Sequence, residues 1–103
     1  NAAARAARDN ARLLGRLTDA GDTDPIAEAN AHPTDVAAGF AAADAEAAAG
    51  DAESAFDRLL ALMAAAPDRK PEIRDRLLEL FALFDPTDPR VLAARGKLAS
   101  ALF

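Results

Sequence analysis

The chain predicts an all-α fold of antiparallel helix hairpins, about six helices in a right-handed superhelical stack, and three observations carry that expectation. Pro33 and Pro67 stand 34 residues apart and bracket two amphipathic stretches that meet at Gly50-Asp51, the outline of one helix–turn–helix repeat. Ala, Leu, Arg and Glu, all good helix formers, dominate the 103 residues, and β-branched residues are scarce. No segment sustains the alternation of apolar and polar side chains that a half-buried strand requires.

Taken in order, the first helix is expected from about Ala3 to Ala20, with Ala7, Ala11, Leu14 and Leu17 inward and a stop at Gly21. Asp24-Pro25 is an N-cap followed by proline at the first helical position. It opens a short helix that Pro33 ends and that has Ile26 and little else to bury. Thr34 and Asp35 put capping groups at the start of a third helix, which runs through Val36, Phe40, Ala43 and Ala47 to Gly50. From Ala52, residues Ala55, Phe56, Leu59, Leu60 and Met63 fall at three- and four-residue steps opposite Glu53, Asp57 and Arg58. Pro71 starts a fifth helix with the stripe Ile73, Leu77, Leu80, Phe81 and Phe84, and a wet side of Arg74, Asp75, Arg76 and Glu79. Asp85-Pro86 breaks it. Asp88-Pro89 repeats the cap-then-proline signal and opens the last helix, with Val91, Ala94, Leu98, Ala101 and Leu102 in line.

Between Val36 and Pro67 the residues keep the register of a tetratricopeptide unit, with small Ala43 and Ala55, a turn glycine at Gly50 and a closing proline. The small side chains let two helices close to contact distance, and Gly50 permits the tight turn between them. The flanking hairpins lose this register, since the second helix is short and the Asp85–Pro89 loop is long. We therefore expect a degenerate N-terminal hairpin over residues 1–32 and a tetratricopeptide-like repeat plus capping hairpin over 33–103, as one continuous domain. Asn1-Ala2 in place of an initiating Met is read as the start of a piece of a longer protein.

The stretches Gly50 to Met63, Arg74 to Phe84 and Asp88 to Phe103 resemble the closing part of the C-terminal tetratricopeptide domain of bacterial thioredoxin-like co-chaperones, the chaperedoxins. The likeness covers Pro33 to Phe103 and is weaker in the N-terminal third. It implies a module that engages unfolded clients or a chaperone partner beside a thioredoxin-like domain, in the cytoplasm. That domain is absent from this sequence, which has no Cys and so no Cys-x-x-Cys. The alternative is a dimerisation or domain-packing scaffold with no client binding of its own, in which a second copy of the chain is the partner.

Composition narrows the function further. A net charge of −5 disfavours a nucleic-acid partner. No run of apolar residues is long enough to cross a membrane, and the first helix is studded with Arg5, Arg8, Arg12 and Arg16. That arginine stripe is read as a solvated face or a contact with another domain. His32 has no second His or Cys for a metal shell, and Asp19, Asp22 and Asp24 lack the glycine and glutamate offsets of a calcium loop. Ser54 and Ser100 have no His partner in a recognisable motif, and Asp44 and Glu46, two apart on a helix, point away from each other. No enzyme, cofactor or metal is expected. The candidate partner-binding residues are Phe40, Leu98, Leu102 and Phe103. Leu98 and Leu102 could instead seal the last hairpin, and Phe56 lies mid-stripe and is expected in the core. Phe40 and Asp44 occupy the inner positions where other tetratricopeptide domains clamp a carboxylate, and neither can donate to one.

Overall fold

Helix boundaries follow the capping chemistry. The computed structural model describes residues 11–13, 15 and 24–102. Ala11–Leu13 and Gly15 are helical. Five helices follow: α1 Pro25–Ala31, α2 Val36–Ala48, α3 Ala52–Ala65, α4 Lys70–Phe81 and α5 Pro89–Leu102, with a 3-10 turn over Pro67–Arg69. No strand occurs among the described residues.

Aspartates open four of these five helices, α4 being the exception. Asp24 accepts from the backbone of Ile26 and Ala27, Asp35 from Ala38 and Asp51 from Ser54, each satisfying amides that the first turn leaves without partners. Asp88 accepts from Arg90 N at 2.8 Å in the same way. Gly50, with φ of +83°, turns the chain between α2 and α3 in the left-handed region that residues with a Cβ avoid.

Cross-helix contacts fix the topology. Arg58 on α3 reaches back to Glu46 on α2 and to Asn30 on α1. A Cβ at Gly39 would stand 2.7 Å from a methyl carbon of Leu62, so α2 and α3 run antiparallel at very close range. Lys70 Nζ donates to the Ala101 carbonyl and Arg95 lies over the Phe81 ring, which makes α4 and α5 antiparallel as well. The second hairpin lies beside the first: Asp44 meets Arg76, 32 residues on, while the Gly50 carbonyl meets Arg90 and Asp57 meets Lys97, each 40 residues on. The longer second interval is taken up by the Ala82–Asp88 connection.

α3 is the central element and touches α2, α4 and α5. Its Ala55, Phe56, Leu59, Leu62 and Met63 are buried with Ala43 of α2, Ile73, Leu77, Leu80 and Phe81 of α4, and Val91, Ala94 and Leu98 of α5. Phe56 meets Phe81 and Phe84 edge-to-face, with centroids 4.8 and 5.7 Å apart, a favoured aromatic geometry.

The structure corrects several details. Ala11, expected inward, is exposed, while Leu13, outside the expected stripe, is buried; Ala7, Leu14 and Leu17 lie outside the described residues. In α1 it is Ala29 that is buried and Ile26 that is half-buried, because close approach to α2 favours the smaller side chain. α4 starts one residue before Pro71 and ends at Phe81, leaving Phe84 in the following turn. Arg58, Arg76 and Glu79 are half-buried and paired, not on a wet face. Their long stems cover apolar surface while the charged heads find carboxylates or guanidinium groups.

Candidate protein-binding surface

α2 and α4 lie side by side and share one inner face. The Phe40 ring is half-exposed there, and the Arg76 guanidinium stands 4.4 Å from its centroid, within cation–π range. Arg76 also donates to Asp44 at 2.9 Å and lies 3.3 Å from Glu79. Asp44 is only 2% exposed, so its charge is held by the guanidinium and is not offered to a ligand. Helical periodicity places Ala37, Ala41 and Ala48 beside Phe40 on the same sector of α2. The result is a low alanine floor, one aromatic ring and a guanidinium flanked by two carboxylates. The guanidinium on this face, Arg76, is already engaged by Asp44 and Glu79.

The outer side is different. Glu46 receives Arg58 in a two-pronged contact of 2.7 and 3.2 Å. The hydrogen-bonded Glu46 carboxylate raises the Arg58 guanidinium above its ordinary range, against the opposing effect of burial. Asp44 and Glu46 thus serve two different neighbours. Beside Arg58 lies a groove of about 520 Å³ lined by residues that include Ala29, Pro33, Gly39 and Leu62. His32 sits at its edge as the C-cap of α1, 3.4 Å from Glu28.

Among the described residues, the large exposed apolar side chains are Leu78 at 43%, Leu92 at 56% and Leu102 at 37%. All belong to the closing hairpin. Of the sequence-named candidates, Phe40 lies on the inner face and Leu102 on the closing hairpin. Leu98 is 6% exposed and packs in the core, the placement under which it seals the hairpin. Phe103 lies outside the described residues, as do Arg5, Arg8 and Arg16; Arg12 is exposed. Leu78, Leu92 and Arg76 were missed. Leu77-Leu78 and Val91-Leu92 are adjacent apolar pairs, and a helix buried on one side must turn one member of such a pair outward.

No cluster of three or more His, Cys, Asp or Glu side chains among the described residues could hold a metal ion, and no described helix is long and apolar enough to cross a membrane. Antiparallel hairpins set side by side, joined by small residues and a turn glycine, define a helical-repeat scaffold whose working parts are surfaces. The chain belongs to the tetratricopeptide repeat family, whose pattern matches residues 18–103. Such domains generally mediate protein–protein interaction. It is similar to the uncharacterized protein Rv1324 of Mycobacterium tuberculosis and the uncharacterized protein Mb1359 of Mycobacterium bovis, each 42% identical over 101 residues and 97% of this chain. The chain spans about a third of the length of these relatives, 33% in each case. No solved structure gives a significant match.

Proposed function

We propose that this domain is the protein-binding part of a thioredoxin-like co-chaperone and takes unfolding polypeptide, or a chaperone partner, against the face shared by α2 and α4. The observation that carries the reading is the half-exposed Phe40 ring with Arg76 over it. An aromatic side chain left open beside a shallow alanine floor offers apolar contact without selecting a sequence, which suits many different clients. The relatives are about three times as long as the match, which leaves room for a thioredoxin-like domain beside this one. In this reading residues 1–32 form the preceding degenerate hairpin, and the co-chaperone role carries a cytoplasmic location with it.

The test is suppression of heat-induced aggregation of citrate synthase by this chain and by its Phe40→Ala variant. The reading expects the parent chain to lower light scattering and the variant to lose most of that effect at unchanged helicity. Equal protection by both would remove Phe40 from the site. No protection, together with a tight dimer in light scattering, would favour the domain-packing alternative.

A further inference from the structure

We infer that the furrow between α4 and α5 is a docking site for an amphipathic partner helix whose apolar stripe is flanked by carboxylates. The site is separate from the inner face and does not depend on it. On α4, Arg76 turns toward Phe40 and Asp44 of α2, whereas Lys70 and Phe81 turn toward α5. On α5, Lys97 and Arg90 reach toward Asp57 and Gly50 on one side, while Arg95 reaches Phe81 on the other. The antiparallel register set by Lys70 with Ala101 and Phe81 with Arg95 places Leu78 opposite the turn that carries Leu92 and Arg95. Leu102 lies on the same α4-facing flank two turns further along α5.

Leu78, Leu92 and Leu102 are exposed, and this register sets them along the furrow between the two antiparallel helices, over which no described helix is laid. A furrow of this kind accepts the ridge of a third helix, as each earlier hairpin in the stack accepts the next. Charge selects the occupant. Arg95 stands 5.1 Å over the Phe81 ring and makes no ion pair among the described residues. Arg74, on the same flank of α4, is paired among the described residues with its own neighbour Asp75, at 3.0 Å on the exposed surface, a pairing of little energetic weight. The edge beside the exposed leucines thus carries two guanidinium groups, Arg74 and Arg95, against the single carboxylate of Asp75. Carboxylates beside a leucine stripe complement that edge, whereas a symmetric contact with a second copy would set Arg95 near its own counterpart.

Two synthetic helical peptides test this, identical in their leucine stripe but flanked by glutamate in one and by lysine in the other. Binding to the whole chain is read by fluorescence anisotropy. We expect the glutamate peptide to bind about tenfold more tightly than the lysine peptide, Leu92→Ser to abolish binding, Arg95→Glu to invert the preference, and Phe40→Ala to change nothing. Circular dichroism checks that each variant keeps its helices. Equal binding of the two peptides, binding by neither, or indifference to Leu92→Ser would overturn the inference. So would a dimer that Leu92→Ser dissolves, which would give the face to a second copy of the chain.

Discussion

The hairpin α2–α3 and the hairpin α4–α5 solve the same problem with different side chains. In the first, Gly39, Ala43 and Ala55 let the helices nearly touch, and the turn between them is a single left-handed glycine. Close approach leaves little apolar surface over, and α2 turns mostly alanine outward. In the second, the connection is longer, and the space is filled by Phe81 and Phe84 against Phe56, with Arg95 and Arg90 laid over the rings. Large side chains hold these helices together and other large side chains, Leu78 and Leu92, are left outside. A repeat that interlocks through small residues makes a frame, and one that interlocks through large residues also makes a surface.

The contrast can be broken first at Phe56, which joins the two hairpins and is 1% exposed. Phe56→Ala should cost about 3–5 kcal/mol of stability by lost burial and a cavity, read from urea unfolding; a cost under about 1 kcal/mol would mean the hairpins hardly depend on each other. Next comes Arg76, the link between α2 and α4. Arg76→Ala removes the guanidinium from the buried Asp44 carboxylate and should cost about 2 kcal/mol, and a double-mutant cycle with Asp44→Asn should show strong coupling. Additive losses would show that the two groups act separately. Gly50→Ala should cost about 1–2 kcal/mol, because φ of +83° is strained for a residue with a Cβ. By contrast Leu92→Ser should move the unfolding free energy by no more than about 0.5 kcal/mol, since that side chain is 56% exposed; a larger loss would make Leu92 part of the frame.

Acid supplies a gentler probe. Asp51, Asp85 and Asp88 lie below their usual range of 3.8 because they accept hydrogen bonds from Ser54, Thr87 and Arg90 respectively, and Glu72 lies below 4.5 through its hydrogen bond with Arg69. A carboxylate depressed in the folded state favours folding above its unfolded pKa, and that contribution fades as pH falls through the folded value. The melting temperature should therefore stay level from neutral pH to about pH 5 and fall below about pH 4. A fall that begins near pH 6 would contradict this assignment to the carboxylates.

Much of this architecture was legible because caps, turn glycine and three-to-four spacing are local signals. Asp24, Asp35, Asp51 and Asp88 mark helix starts by chemistry that needs no knowledge of neighbours, and Ile73, Leu77 and Leu80 need only one buried side. What could not be read locally was which charged residues would be drawn inward. Arg58 and Arg76 look solvated on a helical wheel, and only the meeting of α3 with α2, and of α4 with α2, gives each a carboxylate. The same limit hid the exposed leucines, since which member of Leu77-Leu78 turns outward depends on where α5 lies. For Gly39 the sequence held no turn signal, because its role is contact with Leu62 and not backbone freedom.

Amide chemical shifts of this chain during titration with reduced, carboxymethylated α-lactalbumin, which stays unfolded, would separate frame from surface most directly. The division of labour described above expects perturbations around Phe40 and Arg76 and around Leu78, Leu92 and Leu102, with the buried α3 stripe from Ala55 to Met63 silent. Perturbations confined to the outer groove beside Arg58 and Asn30, or none at saturating client, would contradict it.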